Sequence, residues 1–448
     1  MTEKPFSTKN TIVMTIAGSD SGGGAGIAAD LKTFAALGLH GTCVITSVTA
    51  QNTTGVLDTF DLPPAAVASQ IEAVCADMDI KWAKTGMLAS SEIIREVAKE
   101  VRKYGLSIVL DPVMAAEAGG DLLKKGSLSV LIEELLPLCK VTTPNASEAG
   151  IIAGVPVKTP DDAKIAARKI ADLGVEAVIV TGGHLDATDL LYEASSDTFT
   201  RIPGTFVKGG THGSGCTYSA AMTAFLASGK SLEAAARESK KFVVQAILNS
   251  QLVGRGVNPV NPLGTTLEEK ERYLVLRNLK EAILIIEESP DFSKLIPEVG
   301  CNIGMAIPGA DILGEVAALE GRIVRQRERA VPVGCVEFGA SMYVARIILS
   351  ALRCNPEIRA AINLRYSERN LSLCREAGLS ISSFDIAEEP KNASTLDWRT
   401  VGAVKKYGNL PEVIFDKGDS GKKTMISLLG TNAVEVAKLA VELAEKLQ

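Results

Sequence analysis

Two glycine-rich turns carry the residues best suited to chemistry. The later one reads Lys208-Gly209-Gly210-Thr211-His212-Gly213-Ser214-Gly215-Cys216 and runs into Thr217-Tyr218-Ser219-Ala220-Ala221, a stretch of small residues with helical character. Free N–H groups at such a helix start point at an anion, and the helix dipole favours negative charge there. A phosphoryl group in transit is an anion of that kind. Cys216 falls in the first turn, where a thiol pKa is expected to drop, so it is a candidate to take a proton from an attacking hydroxyl. The earlier turn reads Ala17-Gly18-Ser19-Asp20-Ser21-Gly22-Gly23-Gly24-Ala25-Gly26-Ile27 and leads into Ala29-Asp30-Leu31-Lys32-Thr33. It is neither a P-loop nor a GxGxxG fingerprint. Its glycines permit positive φ and close approach of backbone to a ligand, the bland alternative being a tight strand-to-helix turn.

The elements that must position these turns alternate. Short apolar runs at Thr11–Ala17, Cys43–Val48, Ile80–Lys84, Ser107–Leu110, Lys140–Thr142, Ala177–Val180 and Thr205–Val207 read as strands. Amphipathic stretches at Pro64–Met78, Ser91–Tyr104, Pro160–Leu173 and Gly215–Ala227 read as helices between them. This rhythm predicts an α/β fold, a mostly parallel sheet with helices on both faces and ligands at the carboxyl ends of the strands. A linker composition, Gly254-Arg255-Gly256-Val257-Asn258-Pro259-Val260-Asn261-Pro262, follows. The helical segment Thr266–Glu288 then opens a second, mixed α/β region, so we expect domains at 1–263 and 264–448.

Composition narrows the class. The chain has 448 residues, enough for two or three domains at roughly 150 residues each. Its 46% apolar and 22% charged residues fit a well-packed core. A net charge of −6 with no Lys/Arg block argues against a nucleic-acid or anionic-membrane partner. Met1–Asn10 is polar without an h-region, and the next apolar run is strand length, so a cytoplasmic location is expected. Eight scattered cysteines without a CxxC pair read as reduced thiols, and three histidines (His40, His184, His212) give no zinc cluster.

The first turn, Val48-Thr49-Ala50-Gln51-Asn52-Thr53, Lys84-Thr85-Gly86-Met87-Leu88, Leu110-Asp111-Pro112-Val113-Met114, Thr143-Pro144-Asn145-Ala146-Ser147-Glu148-Ala149, Thr181-Gly182-Gly183-His184 and Thr211–Cys216 form an ordered set. That set, over about residues 10–260, resembles the hydroxymethylpyrimidine/phosphomethylpyrimidine kinase family of the ribokinase-like superfamily. The resemblance implies ATP and Mg²⁺ as cofactors and two successive phosphorylations of hydroxymethylpyrimidine. It makes Cys216 the catalytic base, with Gly213 and Gly215 in an anion hole. Gln51 would read the pyrimidine, with Gly18, Met87 and Val113 around the ring and Asp30 near the substrate. Asn145, Glu148, Thr181 and Thr211 fall at the nucleotide end, and Glu148 and Asp111 on the metal side. Some members carry a Lys where this chain has Thr181, which would shift the handling of phosphate to the anion hole and Mg²⁺. By analogy with that superfamily, a homo-oligomer is expected. A pyridoxal-type vitamin kinase on the same fold is the rival reading.

In the second half, Gly321-Arg322-Ile323-Val324-Arg325, Val336-Glu337-Phe338-Gly339-Ala340-Ser341 with Arg346 and Arg353 following, Asn363–Ser367 and Phe415–Lys423 offer helix starts and arginines for phosphates. Their order resembles the thiamine-phosphate synthase domain fused to such kinases in archaea, over about residues 268–445. The implied reaction joins the pyrimidine diphosphate to thiazole phosphate, with Arg322 catalytic and Ser341 and Arg346 binding substrate. Two positions depart. Tyr343 stands where catalytic members carry His, and no histidine follows His212; Ile386 stands after Phe384-Asp385 where a basic residue is expected. A phenol, with pKa about 10, is a poor base at neutral pH. The alternative is therefore a domain that binds thiamine phosphate without making it.

Overall fold

The computed structural model describes residues 11–115, 122–183, 186–384, 409–416 and 424–447. The chain forms two compact units, Met1–Thr266 and Leu267–Gln448.

The first unit is built on a nine-stranded sheet. Its strands are β1 (Ile12–Asp20), β2 (His40–Asn52), β3 (Gly55–Asp61), β4 (Trp82–Thr85), β5 (Ser107–Leu110), β6 (Cys139–Thr142), β7 (Ala177–Val180), β8 (Asp189–Glu193) and β9 (Thr198–Ile202), in the order β3-β2-β1-β4-β5-β6-β7-β8-β9. β2, β1, β4, β5, β6 and β7 pair in parallel, and β3, β8 and β9 add antiparallel edges. The helices are α1 (Gly26–Ala36), α2 (Pro64–Cys75), α3 (Ser91–Tyr104), α4 (Ser127–Val130), α5 (Ala146–Ala153), α6 (Pro160–Ala171), α7 (Ser214–Ala227) and α8 (Leu232–Leu248).

Side-chain alternation explains the layers. Ile108 and Leu110 join one core with residues of α2, α3, α5 and α6, whereas Val109 between them joins Tyr218 and Met222 of α7. Val178 and Val180 against Ala177 and Ile179 divide in the same way. A strand with period two feeds both faces, so both are apolar and both are covered. The helix ends are defined locally. Ser90 caps α3 by accepting from the Ile93 N–H, and Gly105 closes it at φ +62°.

One expected strand is absent. Thr205–Val207 is irregular, because Pro203 and Gly204 interrupt β9 before it; the three residues line a cavity instead.

In the second unit α9 (Gly264–Glu288) precedes a seven-stranded sheet. The strands are β10 (Ile303–Ala306), β11 (Val316–Leu319), β14 (Val336–Phe338), β15 (Ala360–Arg365), β16 (Ile381–Phe384), β17 (Val413–Asp416) and β18 (Met425–Gly430), ordered β14-β11-β10-β15-β18-β17-β16. Only β16 and β17 pair in parallel. β12 (Ile323–Gln326) and β13 (Arg329–Pro332) form a separate hairpin. The helices α10 (Met342–Cys354), α11 (Glu368–Glu376) and α12 (Ala433–Glu445) complete the unit. Among the described residues no helix is long and apolar enough to cross a membrane. All eight cysteines are free.

Candidate active site

Strand order reverses at β1, which has β2 on one side and β4 on the other. A crevice opens at the carboxyl ends of strands flanking such a point. Here it is a cavity of about 600 Å³. Gly18, Gln51, Met87 and Val113 line it near β1, β2, β4 and β5; Asn145, Glu148 and Thr181 line it near β6 and β7. Thr211, Gly213, Gly215 and Cys216 line it at the start of α7, which packs under β1, β4 and β5 between those two ends. Asp111 is on the wall as well.

The two glycine-rich turns interlock. Gly213 has φ +81°, and a Cβ there would lie 1.8 Å from the Gly24 carbonyl oxygen. A Cβ on Gly24 would lie 2.4 Å from the His212 ring. No other residue fits either place. The amides of the first turn are already used. Asp20 Oδ1 accepts from the Gly22 N–H (2.8 Å), and Oδ2 accepts from the Gly24 and Ala25 N–H groups (both 2.9 Å). His212 Nε2 lies 2.9 Å from the same Oδ2. Burial alone would push the Asp20 carboxyl up, but His212 and the three amides together hold it below its ordinary value. The first turn therefore closes on its own carboxylate. The second turn is different, since no side chain caps α7. Ser214 donates its N–H to the Thr211 carbonyl, while Gly215 and Cys216 of the same turn lie on the cavity wall, a helix start that suits a phosphoryl group.

Beneath Cys216 lies a charge cluster. Lys84 and Asp30 are both fully buried and paired at 2.9 Å, and Asp111 Oδ2 is 3.9 Å from the same ammonium. Thr15 Oγ1 donates to Asp30 at 2.6 Å, and Ser219 Oγ donates to Asp111 at 3.0 Å. Burial works against the Lys84 cation, but Asp30, Cys216 and Asp111 outweigh it and raise its pKa, so it stays charged. Asp30 thus does not line the cavity, against expectation, because α1 turns it into the protein to meet Lys84. The Cys216 thiol also departs from expectation. Burial pushes it up to about 12, and Lys84 and the Gly26 N–H only partly offset that. Loss of water outweighs the helix start.

At the other end Asn145 and Glu148 form the capping box of α5, at 2.9 and 3.0 Å. Burial, then the charge of Asp111, pushes Glu148 up to about 8. Thr181 donates its N–H to the Pro144 carbonyl. Asp189 and Lys240 also line this end, and their roles were not visible in the sequence. Asp189 Oδ1 accepts from both Lys240 Nζ and the Gly182 N–H at 2.7 Å. Burial, then the charge of Asp189, pushes the Tyr218 phenol well above its ordinary value. Apolar Val243, Val244 and Ile247 of α8 and exposed Phe206 finish the wall. His184 lies outside the described residues.

The second unit is less convergent. Gly339 (φ +77°) turns the chain from β14 to Ser341, the N-cap of α10, with Tyr343 and Arg346 half-buried in the first turns. Arg322 lies at the opposite end of the β11–β14 pair and donates to the Val299 carbonyl. The Gly321–Val333 and Val316–Gly339 backbone pairs bracket this stretch. At 3.4 Å per residue, about 15 Å of paired strand separates Arg322 from Ser341. Arg322 thus flanks one end of the β11–β14 pair, and Ser341 and Arg346 follow the other. Asp385, Ile386 and 417–423 lie outside the described residues.

A doubly covered parallel sheet with a carboxyl-edge cavity, an uncapped glycine-rich helix start and a thiol beside it defines an α/β kinase of small molecules. The phosphomethylpyrimidine kinase family matches residues 20–261, and the thiamine-phosphate synthase ThiN family matches residues 278–442. The bifunctional thiamine biosynthesis protein ThiDN of Methanocaldococcus jannaschii is 37% identical over 97% of this chain and 99% of its own length. The hydroxymethylpyrimidine/phosphomethylpyrimidine kinase of Rhizobium meliloti is 45% identical over 56% of this chain and 96% of its own. Among solved structures, the pyridoxal kinase from Staphylococcus aureus in complex with AMP-PCP and pyridoxal superimposes with TM-score 0.53 at 35% identity, covering 58% of this chain and 96% of that one. The chain belongs to the family of bifunctional thiamine biosynthesis proteins that join a phosphomethylpyrimidine kinase to a ThiN thiamine-phosphate synthase. It is a kinase and a thiamine-phosphate synthase in one polypeptide.

Proposed function

We propose that the kinase domain, residues 1–263, transfers phosphoryl from ATP to 4-amino-5-hydroxymethyl-2-methylpyrimidine and then to the resulting monophosphate. Residues 264–448 then condense the diphosphate with thiazole phosphate. The observation that carries the kinase reading is the placement of the uncapped start of α7 between the two ends of one cavity. Gln51, Met87 and Val113 would hold the alcohol on one side, and Asn145, Thr181 and α8 the nucleotide on the other. The S. aureus kinase in complex with AMP-PCP and a B. subtilis pyridoxal kinase in complex with ADP support ATP as donor.

Gly213, Gly215 and the Cys216 N–H would hold the transferring group as charge spreads over its oxygens. Asp111 and Glu148 would hold Mg²⁺. They fit a hydrated divalent cation, since both carboxyls face the cavity and burial pushes each up, with the charge of Asp111 adding to that at Glu148, and such ions take one or two carboxylates with water. When bound, Mg²⁺ supplies positive charge to the phosphate oxygens. Cys216 would take the hydroxymethyl proton as the O–P bond forms. With its thiol at about 12 before ligands bind, that role needs ionisation in the filled site, and Lys84 is the cation placed to favour it.

A one-pot assay tests the scheme. Full-length protein receives hydroxymethylpyrimidine, ATP, Mg²⁺ and thiazole phosphate, and pyrimidine diphosphate and thiamine phosphate are followed over time. Both should form. Diphosphate without thiamine phosphate would reduce the second domain to a binding module; no phosphorylated pyrimidine would overturn the kinase assignment.

A further inference from the structure

We propose that Thr49, Gln51, His212 and Asp20 form a proton-ordered chain that locks the Gln51 amide in one orientation, making His212 and Thr49 the residues that select a 4-aminopyrimidine over a pyridine alcohol. The inference rests on the reading that Gln51 faces the substrate.

The argument starts at Asp20. Its carboxylate accepts three backbone N–H groups, and His212 Nε2 stands 2.9 Å from Oδ2. An ionised carboxylate only accepts, so Nε2 carries the hydrogen whatever the charge on the ring. That nitrogen has no lone pair left for Gln51, whose Nε2 lies 3.4 Å away. The other end of the amide meets the same difficulty. Thr49 Oγ1 lies 2.8 Å from the Ser19 carbonyl oxygen and 3.2 Å from Gln51 Oε1. A hydroxyl has one hydrogen, and the shorter, acceptor-only contact takes it. Thr49 is buried, so what its oxygen offers Gln51 is a lone pair.

Oxygen and nitrogen of an amide are interchangeable by shape, and their neighbours decide which is which. Exchanging the two resolves both contacts at once. Gln51 Nε2 then donates to Thr49 Oγ1, and Oε1 accepts a long second branch from the His212 Nε2–H. The two ends reach this answer independently.

The consequence is a fixed pattern at the cavity wall. One Gln51 N–H remains free on the Thr49 side, and one oxygen lone pair remains on the His212 side. A 4-aminopyrimidine matches it, since a ring nitrogen that accepts stands beside an amino group that donates. In pyridoxal the phenolic hydroxyl is flanked by carbons, so no such adjacent pair exists. An amide free to flip could adapt to either; the chain prevents flipping.

The test uses full-length protein. KM and kcat for hydroxymethylpyrimidine and Ki for pyridoxal as competitor are measured in wild type, Thr49→Val, His212→Leu, His212→Gln and Gln51→Ala. ¹⁵N-histidine NMR, with three histidines to resolve, reads the His212 tautomer. We expect Nε2 protonated in wild type. Thr49→Val and His212→Leu should raise the pyrimidine KM about tenfold, with kcat within about twofold, and narrow its advantage over pyridoxal by a similar factor. His212→Gln, which keeps a donor for Asp20, should recover most of that advantage. A bare Nε2, or a pyrimidine-to-pyridoxal ratio unmoved in Thr49→Val and His212→Leu while Gln51→Ala raises KM, overturns the chain alone. If Gln51→Ala leaves KM unchanged, Gln51 does not touch the ligand, and the underlying reading falls with it.

Discussion

Replacing Lys84 with methionine should cost the kinase unit more stability than any exposed substitution. The wild-type ammonium and the Asp30 carboxylate are both fully buried, 2.9 Å apart. Methionine keeps the length of the side chain but removes the charge. Asp30 would be left with Thr15 Oγ1 as its hydrogen-bond partner, and its Oδ1 already has none among the described residues. Breaking a buried pair from one side costs about 3–5 kcal/mol, chiefly because the remaining charge is stranded. For a unit of this size that corresponds to a fall in Tm of about 6–20 °C. Calorimetry of the full chain measures it, with the kinase transition recognised by its upward shift on adding ATP. Asp30→Asn added to Lys84→Met should recover at least about 1 kcal/mol, because the stranded charge is gone. A loss below about 1 kcal/mol in the single variant, or no recovery in the double variant, would refute the reasoning.

Three further outcomes follow from the site. Gly213→Ala forces a Cβ to within 1.8 Å of the Gly24 carbonyl at a φ of +81°, so the interlocked turns must part. Kinase kcat/KM should drop at least a hundredfold, while thiamine phosphate formation from supplied pyrimidine diphosphate is unchanged; an active kinase would show the turns to be independent. Because its thiol is pushed up to about 12, Cys216 is neutral at pH 7, and its alkylation rate should rise roughly tenfold per pH unit from 7 to 10. Peptide mapping should find it far slower than exposed Cys335 and Cys354 at pH 7, and equal rates would contradict the burial argument. In the second unit, Tyr343→Phe should keep thiamine phosphate synthesis within about threefold, since a phenol is not the base at neutral pH. A loss beyond a hundredfold, measured from the diphosphate, would assign the hydroxyl a direct role.

What the sequence discloses depends on whether a residue's job is local. Gly213 and Gly24 announce themselves because backbone geometry at a strand-to-helix turn is set by adjacent residues. Cys216 stands within the second of those turns and Gln51 in the Val48–Thr53 segment that carries the family resemblance, and the structure brings both to one cavity. The edge strands β3 and β9 were not legible, since their exposed, partly polar residues lack the continuous apolar run that marks a buried strand. Thr205–Val207 misled for the opposite reason, a strand-like triplet that pairs with no sheet and instead lines the rim of the cavity.

The cluster under Cys216 shows where legibility ends. Lys84 stands in a parallel strand between Ala83 and Thr85, all three buried, and a lysine there demands an acid from elsewhere in the chain. The sequence thus contains the question. It does not contain the answer, because Asp30 is 54 residues away and Asp111 lies one strand over, and only the β1-β4-β5 order brings them together. Desolvation behaves likewise. A cysteine at a helix start predicts an acidic thiol, yet the helix packed beneath the sheet buries that thiol, and burial wins. Local patterns therefore name the residues of this site, while the topology of the sheet fixes their charges. The charges decide what Cys216 can do before any ligand arrives.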